Sequence, residues 1–354
     1  MFFKQKAPRP DLAPMPPERL LELDNVGVHF PTRDGLVRAV NGVSYHVNRG
    51  EVLGIVGESG SGKSVTARSI MRLQPRNALN ASGTIRFRRA SGDEVLISSE
   101  DRQSRTMRSL RGGEIGMVFQ EPMTALSPVH TIGTQIMRTV MLHRKVSKAE
   151  ARNQAIELLK RVQMPRPADI AGRYPHHLSG GMRQRAMIAL ALACDPALLI
   201  ADEPTTALDV TTEAQILELL KQLQEELNMA IVFITHNFGV VADIADRVAV
   251  MYLGRVVETG TVDEIFYEPK HPYTQALLQS IPRLGKSHGR RLRTISGMVP
   301  DPYNVPGGCS FHPRCMHGVA GTCDVSVPED AVFPSGQRAR CHFAGTAGIA
   351  EAAE

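Results

Sequence analysis

Apolar and polar residues roughly alternate from Leu21 to Phe30 and from Gly42 to Val47, the two-residue period of a strand with one buried face. The segment Ile85 to Ile97 repeats the pattern as a hairpin around Ser91-Gly92, so these stretches predict an antiparallel layer. Three other runs, Glu51 to Val56, Leu198 to Ala201 and Ala230 to Thr235, are apolar almost throughout and predict parallel strands buried on both faces. Between Thr131 and Gln163 the period changes. Ala151, Ala155, Leu158, Leu159 and Val162 recur at three- and four-residue spacing, which predicts a helical insertion. The longest uninterrupted apolar run, Ala186 to Cys194, has nine residues, whereas a membrane-spanning helix needs roughly 20. The opening MFFKQKAPRPDLAPMPP is broken by prolines and lacks the apolar core of a secretory signal. The expected compartment is therefore the cytosol.

Proline punctuates both ends. Residues 1–19 contain Pro8, Pro10, Pro14, Pro16 and Pro17 and read as an arm, with order beginning near Leu20. Beyond Glu268 prolines return and four of the five cysteines appear, so a second domain is expected over residues 269–343, after a cassette over 20–268 whose helical part covers about 121–180. The tail, residues 344–354, has too little bulk to bury and is expected to fray. At 354 residues and 42% hydrophobic content the chain can build a core and an appended module. Its net charge of +5 is spread along the sequence without a basic stripe, so no nucleic-acid partner is expected.

Gly57-Glu58-Ser59-Gly60-Ser61-Gly62-Lys63-Ser64 stands between the strand VLGIVG and the helical stretch VTARSIMRL. Its glycines let successive amide N–H groups turn inward on phosphate oxygens, and the helix that follows adds its positive end. In such a loop Lys63 neutralises phosphate and the Ser64 hydroxyl coordinates magnesium. The strand LLIA ends in Asp202-Glu203, where Asp202 suits a magnesium shell and Glu203 suits the polarisation of an attacking water.

Between these pieces stands Leu178-Ser179-Gly180-Gly181-Met182-Arg183-Gln184-Arg185, directly before a helix, and here the sequence resembles the ABC ATPase family. The rest of the family set follows in order: Gln120 in VFQEP, Ala207-Leu208-Asp209, and His236 closing AIVFITH. The resemblance spans about Leu20 to Glu268. It implies an α/β P-loop NTPase fold with an antiparallel β layer and a helical subdomain, ATP and Mg2+ as ligands, and ATP hydrolysis. By it, Ser179, Gly180 and Gly181 bind the γ-phosphate of an ATP seated on a second ATPase subunit, so each chain holds two half-sites. It further implies that His236 contacts the γ-phosphate, that Gln120 senses magnesium and the lytic water, that Asp209 organises the interface and that Phe30 stacks on adenine. The stretch Glu121 to Ser179 resembles the surface that receives coupling helices of two transmembrane permease subunits.

Cys309, Cys315, Cys323 and Cys341 are separated by five, seven and seventeen residues, a clustering that points to a metal without naming it. HPYTQALLQSIPRL (His271 to Leu284) and VPDPYNVPGGCSFHPRC (Val299 to Cys315) resemble the narrower group of oligopeptide and dipeptide importer ATPases. That resemblance implies a small irregular C-terminal domain holding a [4Fe-4S] cluster on the four cysteines, with Zn2+ as the alternative and His312, His317 and His342 as substitute ligands. It also implies a paralogous ATPase partner, an extracytoplasmic solute-binding protein and a place at the cytoplasmic face of the inner membrane. Nickel, oligosaccharide or opine import stays open as cargo. A soluble ABC ATPase acting on nucleic acid or ribosomes is the alternative from another class.

Overall fold

A computed structural model describes residues 12–206, 208–281 and 295–345. Most of the expected arm and tail, Ala207 and the end of the His271–Leu284 stretch lie outside the described residues.

Two sheets carry the fold. The smaller is antiparallel, in the order Leu36–Asn48, Arg19–Pro31, Leu79–Arg88, Glu94–Leu96. Its hairpin closes at the predicted Ser91-Gly92, where Arg89 N–H donates to the Asp93 carbonyl at 2.8 Å. Glu22, on the second strand of this layer, is gripped by Arg19 and Arg86.

The larger sheet has eight strands, five of them mutually parallel: Arg247–Tyr252, Val52–Val56, Ala230–Ile234, Leu198–Asp202 and Ile115–Val118. Val52–Val56, Leu198–Asp202 and Ala230–Ile234 are buried at every position. Such strands bury both faces, and each fully buried Ile, Leu or Val contributes roughly 1.5–3 kcal/mol of apolar burial. One face packs on the antiparallel layer through Leu53, Ile55, Leu198, Ile200 and Val232; the other packs on the helices through Leu199, Ile231 and Phe233. Arg255–Thr261 returns antiparallel to Arg247–Tyr252 across Leu253-Gly254, both in the left-handed region at φ 42° and 74°.

The expected helical insertion is two helices, Ile132–His143 and Lys148–Arg161. Arg144 is extended, and Ser147 with Glu150 forms a capping box that starts the second helix. Ala151, Ala155, Leu158 and Leu159 form the buried stripe that the spacing predicts.

The cysteine-bearing segment does not stand apart. Its short strands Ala331–Val332 and Arg338–Ala339 extend the larger sheet beyond Arg255–Thr261. Phe311 of this segment joins Tyr252 and Val56 of the sheet and Tyr273 of the helix Pro272–Gln279 in one apolar cluster. Among the described residues no helix is long and apolar enough to cross a membrane.

Candidate nucleotide site

The strand Val52–Val56 runs into the phosphate loop, and the helix Lys63–Ile70 leaves it. Gly57 at φ 152° and Gly62 at φ 97° are both required: a Cβ would lie 2.1 Å from the Met251 carbonyl oxygen at the first and 2.3 Å from that of Ala39 at the second. Lys63 Nζ folds back and donates to the carbonyls of Gly57 (2.7 Å) and Glu58 (3.1 Å). Burial holds its pKa below the ordinary lysine value, offset by the charges of Glu203, Asp202 and Glu58. A cavity opens over the loop, lined by Ser59–Val65, Gln120 and Glu203, by Val37–Ala39 of the antiparallel layer, and by Pro302 and Val305 from the C-terminal segment.

Parallel strand pairing brings Leu198–Asp202 two strands away from the loop's own strand, with Ala230–Ile234 between them. Ser64 Oγ donates to Asp202 Oδ1 at 2.7 Å. Among the described residues, Asp202 Oδ2 is buried without a hydrogen-bond partner, and so is Ser61 Oγ. Burial pushes the Asp202 carboxyl above its usual range, with the Ser64 hydrogen bond working the other way. An unpartnered buried carboxylate oxygen beside a serine hydroxyl fits a hard divalent cation, so the donor set suits Mg2+.

Glu203 follows Asp202 at φ 49°, a left-handed conformation rare for glutamate, fixed by its N–H donating to the Ile234 carbonyl at 2.9 Å. Gln120 Nε2 and Thr206 Oγ1 each donate to Glu203 Oε2 at 3.0 Å, and His236 Nδ1 lies 3.6 Å from Oε1. The structure thus brings Gln120 and Glu203 together in the cavity lining, with His236 beside Glu203, from three different strand ends.

Ser179, Gly180 and Gly181 are elsewhere. Ser179 caps the helix Gly180–Ala191, accepting from Met182 N–H at 3.4 Å, and none of the three lines the cavity over the loop. A Cβ on Gly181 would lie 2.7 Å from Thr212 Cγ2, so this helix start abuts that of Val210–Leu227. Asp209 caps the latter, accepting from Thr212 N–H (3.0 Å) and Thr212 Oγ1 (2.7 Å), and those bonds hold its carboxyl below the usual range. Phe30 packs against the core of the antiparallel layer and is not among the residues lining the cavity.

The four C-terminal cysteines line one small cavity with Phe311, Phe343, His271, His312, His317 and His342. Burial raises the thiols of Cys309, Cys315 and Cys341, the last to about 11. Among the described residues no three His, Cys, Asp or Glu side chains form a group that could hold a metal ion. The four thiols nevertheless line the same cavity, which brings together residues spread over Cys309 to Cys341.

Comparison with known proteins agrees with this geometry. The ABC transporter family profile matches residues 40–206, and that of the oligopeptide/dipeptide transporter C-terminal region matches residues 257–323. A putative peptide import ATP-binding protein of Brucella melitensis is 52% identical over 91% of this chain and 96% of its own length. The chain belongs to the ATP-binding subunits of ABC transporters. Within this family, the oligopeptide transport ATP-binding protein OppD of Bacillus subtilis is 51% identical over 85% of this chain and 82% of its own length. The dimeric ATP-binding cassette MJ0796, in a post-hydrolysis state bound to ADP and Pi, superposes with a TM-score of 0.60 at 29% identity, over 69% of this chain and 99% of its own. As a member of this family the chain is an ATPase with ATP and Mg2+ as its ligands.

Several site residues were missed by sequence reasoning. Thr206, Arg38, Pro302 and Val305 join the cavity or its base, and Tyr273 and Arg314 touch the loop from 215 and 256 residues away along the chain. No local pattern marks such contacts.

Proposed function

We propose that this chain drives import of di- or oligopeptides, hydrolysing ATP at the cytoplasmic face of the membrane as a peripheral partner of two permease subunits. The observation that carries the peptide reading is the match of residues 257–323 to the oligopeptide/dipeptide transporter C-terminal region, whose Tyr273 and Phe311 pack against Val56 and Tyr252 of the cassette's sheet. In this reading the phosphate loop holds ATP, Lys63 and the loop amides neutralise the phosphates, and Ser64, Asp202 and Gln120 would hold Mg2+, which would supply further charge neutralisation. Glu203 takes the proton of the attacking water; Gln120 and Thr206 aim its carboxylate, and His236 stands beside it to meet the γ-phosphate.

Ser179–Gly181 complete the site of a second ATPase subunit, a paralogue in this reading. That none of the three lines this chain's own cavity supports such division, and so does a helix start of small residues. Peptide reaches the permeases from an extracytoplasmic binding protein. The assembled importer should raise its ATPase rate with binding protein carrying peptide, and not with nickel, oligosaccharide or opine; stimulation by one of these and not by peptide overturns the cargo assignment.

The four cysteines are proposed as ligands of a [4Fe-4S] cluster. Support comes from four thiols around one cavity walled by Phe311 and Phe343. The positive charge of the iron-sulfide core would offset the burial that disfavours thiolate. Protein purified without oxygen should contain about four iron and four sulfide per chain. One zinc without iron, or no metal, contradicts the cluster.

A further inference from the structure

The phosphate loop contains an acid, Glu58, whose negative charge is unfavourable beside an anionic ligand. Its carboxylate is held by a residue of the cysteine-bearing segment. Arg314 Nη1 donates to Glu58 Oε2 at 2.7 Å and Nη2 to Oε1 at 3.0 Å, a bidentate pair. The Arg314 side chain is only 4% exposed, against 25% for Glu58. Its remaining contacts fix it from behind: Nε donates to the Ser296 carbonyl at 3.2 Å, Nη1 reaches the Tyr252 hydroxyl at 3.4 Å, and the guanidinium lies 5.8 Å from the centre of the Tyr252 ring.

The loop backbone is tied to the same region. Glu58 N–H, in a loop whose amides serve phosphate, donates instead to the Tyr273 hydroxyl at 3.0 Å. The Glu58 carbonyl accepts from Lys63 Nζ. Tyr273, Tyr252 and Phe311 form a ring cluster with centroids 4.6–5.3 Å apart, and the turn His312–Arg314 follows Phe311 directly. Both Arg314 and Tyr273 lie outside residues 40–206, the part that matches the ABC transporter family as a whole.

We infer that Arg314 is a positioning residue of the nucleotide site: it neutralises Glu58 and turns its carboxylate away from the phosphate cradle, so the C-terminal segment sets the affinity of the loop for ATP. The inference rests on the reading of the loop as the ATP site. Without Arg314 the Glu58 charge faces the phosphates uncompensated, whereas removing both charges leaves the cradle electrostatically unchanged.

The test is Mg-ATP affinity of the full chain by fluorescent-nucleotide displacement, with KM and kcat in the assembled complex. Arg314→Gln should raise Kd and KM about five- to tenfold with kcat within about twofold. Adding Glu58→Gln to that variant should restore Kd to within about twofold of wild type, and raised salt should narrow the Arg314→Gln defect. A wild-type Kd in Arg314→Gln, or a double variant no better than the single, overturns the inference. Should Arg314→Gln fail to fold, Glu58→Gln alone decides: an affinity equal to or tighter than wild type supports the inference, and a weaker one overturns it. Lys63→Ala, measured alongside, separates the two readings. If it binds ATP as wild type does, the ATP-site reading fails; if it loses ATP while Arg314→Gln does not, only the inference fails.

Discussion

Glu203 holds a left-handed backbone at φ 49°, and Gln120 and Thr206 donate to its Oε2. Strain of this kind persists where the surrounding structure fixes it, here through the Ile234 carbonyl, and it aims the carboxylate into the cavity. Glu203→Gln keeps the shape and the acceptor but removes the base. Turnover in the assembled complex should fall at least about a hundredfold with nucleotide affinity little changed; a wild-type rate would remove Glu203 from its role. The acidic pair, the loop and the terminal histidine were legible because each sits at the end of an apolar strand. Thr206 and Arg314 were not, since nothing in their neighbours' sequence records the contact.

A second residue-scale prediction concerns pH. Arg247 Nη1 lies 3.2 Å from His46 Nε2, and an arginine can only donate, so that nitrogen is unprotonated in the folded chain. Burial and the Arg247 charge lower the His46 pKa from 6.5 to about 4. A depressed folded pKa contributes stability that is fully present above about 6.5 and is lost as pH falls through about 4, because the unfolded chain takes up the proton first. His46→Gln retains an acceptor without titrating. Its thermal midpoint should therefore drop less than that of wild type between pH 7 and pH 4, and parallel curves would refute the linkage.

At the scale of elements, the helix Gly180–Ala191 starts on Ser179, and its first turn lies against Thr212. Ser179→Ala removes the cap, at about 1 kcal/mol. Since Ser179 serves the partner's nucleotide in the proposed reading, the chain's own ATP affinity should hold while turnover of the complex falls. A large loss of the chain's own affinity would instead place Ser179 at its own loop. The strands Val52–Val56, Leu198–Asp202 and Ala230–Ile234 were readable as continuous apolar runs. Ile115–Val118 was not, because four residues, one of them glycine, are too short to show a period. Arg247–Tyr252 and Arg255–Thr261 were overlooked although Leu253-Gly254 marks a hairpin turn between them.

Across the whole molecule, the C-terminal segment was expected as a separate domain, and its prolines and cysteines do set it off in sequence. In space it continues the central sheet, shares an apolar cluster with it, and lends Pro302 and Val305 to the cavity over the phosphate loop. Pairing across some 80 residues of chain leaves no local trace in the sequence. A segment built into the nucleotide cavity is suited to reporting its state to whatever that segment touches. In the proposed reading, ATP hydrolysis on this chain powers peptide import. The direct test is uptake of labelled peptide by proteoliposomes carrying the assembled importer, with nucleotide supplied on the side that this chain occupies. Uptake with ATP and none with its non-hydrolysable β,γ-imido analogue is the predicted result. Equal uptake with the analogue, or ATP hydrolysis with no peptide moved, would contradict it.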